Sequence, residues 1–253
     1  MSTETNWETL LANQQYTAAA RVYTLVPERD VTIQRSLDAL ADVVDLQRDR
    51  LYKRASERIE RLEDRAEQMN FEAMLAENEL FATVSGLLEQ RDIAGALDAL
   101  GDMGEWYFTS EALTLRGTAL IYEGDMADAE TLFTQVIELD PRHYRAITNL
   151  GNIALERGDT DEAIELYLRA IELNETFPNA HHNLGVAYRK KRQIGKSVQA
   201  LKKAQRFSQK HDREEAREQL GKMTGAANFG KYLKWLAYGV IIGGVYWILS
   251  SQL

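Results

Sequence analysis

The chain is 253 residues long, has no cysteine and three prolines, and carries a formal net charge of −9. Disulfides and thiolate metal sites are thereby excluded, and the length allows one or two domains with a proper core. The charge is split: 16 Lys/Arg stand against 35 Asp/Glu through Tyr188, and 14 against 4 from Arg189 on, so an acidic body meets a basic neck. Apolar residues recur at helical spacing, and β-branched alternation is absent before the last twenty or so residues, which predicts an all-α fold.

The opening "MSTETNWETLLANQQY" has neither a basic n-region nor an apolar h-region, so a secretory signal is not expected. Residues 1–31 read as a helical hairpin cut short at Pro27. Residues 32–70 read as one long charged helix, because Leu37, Leu40, Val44, Leu51, Ala55, Ile59, Leu62, Ala66 and Met69 step by three, four or seven. The steps Leu51 to Ala55 to Ile59 break strict heptads like a stutter. Spacing alone does not choose between an intermolecular coiled coil and a helix packed back on its own chain. Residues 77–109, with Leu80, Leu87 and Ala96, read as a degenerate helix pair.

A repeat of 34 residues follows over 110–211. Gly117, Gly151 and Gly185 are spaced by that interval, as are Gly124, Gly158 and Arg192, and Phe133, Tyr167 and Leu201. The first set lets paired helices approach, with Ala129, Ala163 and Ser197 doing the same on the second helix. Gly124 and Gly158 suit helix ends, and Asp125 and Asp159 suit the N-caps that follow. Arg116, Arg192 and Glu175 depart from the pattern, standing where it favours an aliphatic residue, a turn glycine and a proline.

These stretches resemble the tetratricopeptide repeat family. The resemblance implies antiparallel helix pairs stacked into a superhelix, whose first helices line an inner face for protein partners. By position, that lining would be Thr114, Thr118, Thr148, Asn149, Asn152, His182, Asn183, Val186 and Arg189. Asn149, Asn152 and Asn183 each offer a donor and an acceptor to an extended peptide. The lysines with which some relatives grip a C-terminal carboxylate are not matched at Thr114, Thr148 or Asn179.

The basic neck comprises Arg189, Lys190, Lys191, Arg192, Lys196, Lys202, Lys203, Arg206 and Lys210. Residues 212–231 are read as a basic capping helix and a glycine hinge. "GAANFGKY" at Gly225 to Tyr232 imitates a phosphate-binding loop but ends in Tyr where a hydroxyl for Mg²⁺ is needed, and it follows a helix. His143, His181, His182 and His211 have no metal-ligand spacing. No cofactor, no metal and no catalytic group is expected, and the acidic body argues against nucleic acid.

The last 19 residues, after Lys234, carry no charge. Residues 232–253 are read as a transmembrane anchor, about 28 Å long as a helix from Trp235, with Tyr232, Trp235 and Tyr238 at one interface and Tyr246 and Trp247 at the other. Gly239 and Gly243 form G-x-x-x-G within it. The positive-inside rule then puts the repeats in the cytoplasm, with the neck against anionic lipid. The expectation is a tail-anchored all-α solenoid with a long N-terminal helix, acting as a non-enzymatic adaptor. A self-assembling coat that organises the membrane, and with it homo-oligomer formation, is left open.

Overall fold

The computed structural model describes residues 7–28, 30–62, 70–101 and 106–224. Among these are twelve α-helices and no strand. They pair into six consecutive hairpins: α1 (Trp7–Ala12) with α2 (Tyr16–Tyr23), α3 (Val31–Arg48) with α4 (Tyr52–Glu60), α5 (Phe71–Glu89) with α6 (Ile93–Leu100), α7 (Thr109–Glu123) with α8 (Met126–Leu139), α9 (Tyr144–Arg157) with α10 (Thr160–Leu173), and α11 (Pro178–Lys190) with α12 (Ile194–Thr224).

One turn is used six times. Each hairpin bends at a residue of positive φ: Gln14, Arg50, Arg91, Gly124, Gly158 and Arg192. The next residue's N–H reaches back five positions in every case: Gln15 to Leu10, Leu51 to Leu46, Asp92 to Leu87, Asp125 to Leu120, Asp159 to Ala154 and Gln193 to Tyr188, at 2.8–3.0 Å. This left-handed cap satisfies carbonyls that the helix end would leave bare. Four of the six turns hold it with Gln or Arg, at a steric cost of about 1–2 kcal/mol each that packing on either side must offset.

Packing repeats in the same frame. Five residues after each turn sits a small buried side chain, Ala19, Ala55, Ala96, Ala129, Ala163 or Ser197, where the second helix crosses the first. Seven before and nine after the turn lies a facing pair. In the last three hairpins a glycine meets a large group: Gly117 against Phe133, Gly151 against Tyr167, Gly185 against Leu201. In the second and third hairpins Val43 and Val84 stand in the glycine's place, with Ile59 and Leu100 in the other, all buried. Volume is shared differently across the same slot.

Residues 32–70 are therefore not one long helix. α3 ends at Arg48 and α4 begins at Tyr52, with Arg50 at φ 58° between them. The broken heptad phase is a hairpin turn, where two helices change frame and both apolar faces point inward. Leu40, Val43, Tyr52, Ala55, Ile59 and Leu62 all enter the chain's own core, which leaves no coiled-coil seam on α3 or α4. Residues 63–69 lie outside the described residues, as does the rest of that stretch's seam at Ala66 and Met69.

Caps follow the expectation in part. Asp125 accepts from Asp128 N–H at 3.2 Å, and Asp92 from Gly95 N–H at 3.0 Å. Asp159 makes no such bond; its carboxylate is held by Arg157, which also reaches Glu162 and Glu130. Arg116, out of pattern, donates to the Gly101 carbonyl at 2.7 Å and so ties the third hairpin to the fourth. Residues 212–224 continue α12 without a break.

The stack also closes on itself. Tyr16 donates to the Tyr107 carbonyl at 2.6 Å, and the Thr109 N–H donates to Gln14 at 2.9 Å. Farther along, Arg48 donates to Asp140 at 2.8 Å, and Tyr144 donates to the Arg48 carbonyl at 3.2 Å. The first two hairpins thus curl back onto the start of α7 and the α8–α9 loop, some ninety positions away in the chain. No helix among the described residues is long and apolar enough to cross a membrane. The expected anchor, with Tyr232, Trp235, Tyr238, Gly239, Gly243, Tyr246 and Trp247, and the "GAANFGKY" stretch lie outside the described residues.

Candidate partner-binding face

The first helices α7, α9 and α11 carry residues at equivalent positions of the repeat: Glu111, Arg145, Asn179; Thr114, Thr148, His182; Leu115, Asn149, Asn183; Thr118, Asn152, Val186. Exposure rises along this series. Thr114 is 0 % exposed, Thr148 3 % and Thr118 9 %, so these three do not line an open surface. Asn149, Asn152, Asn183 and Val186 are half-buried, whereas Asn179, His182 and Arg189 are exposed. The accessible positions of this set therefore lie on α9 and α11. Asn179, which the sequence reading did not single out as part of the lining, belongs to it.

The N-terminal hairpins reach this set of positions at Glu111 and Arg145. Glu111 and Arg145, at equivalent positions of adjacent repeats, meet at 3.4 Å under the α3–α4 turn, and Tyr52 donates to the same carboxylate oxygen of Glu111. Burial alone pushes the Glu111 carboxyl up. Arg145, then His143 and Tyr52, outweigh it and hold Glu111 below the usual carboxylate range. A buried carboxylate must be paired and hydrogen-bonded in this way to remain charged. A Glu and an Arg spaced by one repeat were legible in the sequence. The tyrosine from another hairpin was not.

The asparagines are partly committed to the stack. Asn183 donates to Asn152 at 2.7 Å, and the Tyr167 hydroxyl donates to the same oxygen at 2.9 Å. One repeat earlier, Asn149 donates to Thr118 at 3.4 Å. Neighbouring first helices are thus cross-tied, and each donating asparagine keeps its carbonyl for another partner.

His181 and His182 divide as their adjacency requires. His181 is buried, packs against Phe207 and bonds the Glu175 carbonyl at 2.8 Å, while His182 stands on the inner face. Among the described residues no group of three or more His, Asp or Glu is placed to hold a metal ion.

All nine neck residues are exposed. Lys191 pairs with Asp161, Lys190 donates to the Leu155 carbonyl at 2.8 Å, Lys196 sits 5.3 Å over the Tyr188 ring, and Lys210 is 3.8 Å from Glu214. Lys202, Lys203 and Arg206 have no ion partner among the described residues and form a basic stripe along α12.

Family models for tetratricopeptide repeats match the chain: one described as TPR repeat over 151–192, one as tetratricopeptide repeat over 132–165, and another of that description over 110–143 and 178–211, the last in register with the α7–α8 and α11–α12 hairpins. Together these matches span residues 110–211.

Among solved structures, MamA is similar at 21% identity and TM-score 0.43, over 64% of this chain and 91% of that one. A MamA fragment from Desulfovibrio magneticus RS-1 is 24% identical with TM-score 0.42, over 52% and 75%. YrrB, described as a TPR protein with an unusual peptide-binding site, is 18% identical with TM-score 0.41, over 67% and 84%. No curated protein matches the chain in sequence.

Proposed function

We propose that this chain is a non-enzymatic adaptor, anchored in a membrane by residues 232–253, that displays its repeats on the cytoplasmic face to recruit a protein partner. The observation that carries the reading is an adjacency. The accessible positions Asn149, Asn152, His182, Asn183, Val186 and Arg189 lie on α9 and α11, and α11 packs against α12, which carries the basic stripe. The 19 uncharged residues after Lys234 supply a span, and the stripe supplies the charge that retains the neck on the cytoplasmic side. Anionic lipid attracts such a neck by about 1 kcal/mol per nearby Lys or Arg, while the acidic body is repelled and projects away.

Two measurements on the full chain test it. Alkaline carbonate should leave the protein in native membranes and release a form truncated at Gly230; equal release of both removes the anchor. A photo-crosslinking residue at His182 should give a discrete protein adduct that the same residue at outward-facing Glu172 does not. Equal labelling at the two positions removes the inner face as the binding surface.

The second reading, a self-assembling scaffold, has one observation in its favour. Ile194 and Val198 of α12 are 58 % and 45 % exposed. Val198 repeats the position of Ile164, which packs with the Leu184 cluster of the next hairpin. Light scattering decides between the two readings: concentration-dependent growth that Val198→Glu abolishes favours the scaffold, and a constant monomer mass favours the adaptor.

A further inference from the structure

Large exposed apolar side chains are few among the described residues, and some stand alone. Leu168 lies between Glu165 and Glu172 along α10, and Arg91 covers the Tyr122 ring at 4.4 Å. Single groups of this kind are ordinary on a protein surface and call for no partner. Two places differ. At the entry to the second hairpin Leu25 is 80 % exposed and Val31 60 %, with Ile33 exposed in the same turn as Val31. The Tyr23 hydroxyl accepts the Asp30 N–H at 2.9 Å, so Leu25 and the first turn of α3 stand at the two ends of one closed loop. On the sixth hairpin, Ile194 and Val198 are exposed one turn apart at the start of α12.

The charges beside the two patches are opposite in sign. Val31, Asp38 and Asp42 recur at helical spacing along one face of α3, and Glu28 and Asp30 lie in the loop, all of them exposed. Gln34 donates to Asp38 at 2.8 Å and Arg58 to Asp42 at 2.7 Å, through one oxygen of each carboxylate. Arg35 is the cation on that face. Around Ile194 and Val198 the chain has no Asp or Glu from residue 176 to residue 211. Lys202 and Arg206 follow Val198 at one-turn steps along α12, without an ion partner among the described residues.

The order along the two helices is also the same, apolar first and charge beyond. Asp38 and Asp42 lie seven and eleven residues after Val31; Lys202 and Arg206 lie eight and twelve after Ile194. At 1.5 Å per residue this is about 10.5 and 16.5 Å along α3, and about 12 and 18 Å along α12. Laid parallel with Val31 on Ile194, the helices therefore bring each carboxylate within about 2 Å of axial register with a cation.

We infer that α12 of one copy packs in parallel against α3 of a second copy. Ile194 and Val198 cover Val31 and Leu25, and Lys202 and Arg206 meet Asp38 and Asp42. This rests on the scaffold reading and names the two surfaces that reading needs. Two α12 helices facing each other would oppose like charges, which disfavours a symmetric pairing through that helix. The head-to-tail contact instead leaves each copy one free α3 and one free α12, so it propagates.

The test follows the protein mass of the full chain in detergent by light scattering as concentration rises. The parent should grow beyond two copies. Val31→Lys and Val198→Lys should each hold the mass at one copy, with helical content and thermal midpoint unchanged. An equal mixture of the two variants should form particles of two copies and no more, because one intact α3 meets one intact α12 while both remaining faces carry the added cation. Arg35→Gln removes the opposed like charge and should strengthen association about two- to fivefold; weaker association contradicts the pairing. A parent that stays at one copy removes the scaffold reading and this contact together. Growth that Val198→Lys stops and Val31→Lys does not leaves the scaffold reading standing and overturns the α3 contact. A mixture that fails to associate, or that grows past two copies, overturns it too. Growth that only Gly243→Leu stops assigns assembly to residues 232–253 and removes the contact as well.

Discussion

Alanine at Gly151 and alanine at Gly86 should move stability in opposite directions, though both sit inside first helices. A Cβ at Gly151 would lie 2.6 Å from Tyr167 Cε1 and 2.9 Å from Cδ1, well inside contact distance. The ring is fully buried, and its hydroxyl is tied to Asn152 at 2.9 Å, so it cannot swing aside without breaking that bond. Overpacking of this kind costs about 1–3 kcal/mol, the lost hydrogen bond about 1 more, and the helix gains back roughly 1 on replacing glycine. The net is a destabilisation of about 1–3 kcal/mol, or several degrees of melting temperature at this chain length.

At Gly86 nothing lies within 4 Å of the added carbon, so only the helix gain of about 0.5–1 kcal/mol remains. Urea midpoints by circular dichroism read both substitutions. Combining Gly151→Ala with Tyr167→Leu imitates the Val84–Leu100 slot of the third hairpin and should couple favourably by at least about 1 kcal/mol. If Gly151→Ala proves as stabilising as Gly86→Ala, the account of the shared slot is wrong.

Arg192→Gly should stabilise by about 1 kcal/mol, since the exposed arginine holds φ 59° and the substitution relieves it; a loss of stability in urea would contradict the turn assignment. Glu111→Ala strands Arg145 and His143 under the α3–α4 turn and should cost about 3–5 kcal/mol by denaturant titration, whereas a change under 1 would mean the network is idle. Burial pushes the Glu77 carboxyl up to about 7, despite N–H bonds from Tyr107 and Phe108. The folded state then holds a proton that the unfolded state has released above its ordinary carboxylate pKa. That contribution is full below about pH 4.5 and is lost as pH rises through about 7. Stability measured across that window should fall more steeply in the parent than in Glu77→Gln, and equal slopes would exclude Glu77.

The last three hairpins were readable because their slots use glycine with a large partner and their turns use Gly124 and Gly158, a pattern that stands out in one dimension. The earlier hairpins obey the same frame with Val43–Ile59 and Val84–Leu100, and they turn on Gln14, Arg50 and Arg91. Valine and arginine carry no turn or close-approach signal of their own, so α3 and α4 merged into one helix on periodicity alone. Only Ala19, Ala55 and Ala96, each five residues after its turn, hinted at the frame. The inner face was legible as positions but not as surface. Thr114, Thr118 and Thr148 repeat the spacing of His182 and Val186, yet they are buried. Contacts some ninety residues apart, such as Arg48 with Asp140, are likewise encoded by no local spacing.

Because the chain has no cysteine, single cysteines report this burial without background. Maleimide labelling of the folded full chain should be fast at His182→Cys and Val186→Cys. At Thr114→Cys and Thr148→Cys it should be slower by at least about a hundredfold, since those sites are reached only through local opening. Labelling at Thr114→Cys as fast as at His182→Cys would show the whole inner face open, and would contradict the central claim that its accessible positions, those left for a partner, lie on α9 and α11.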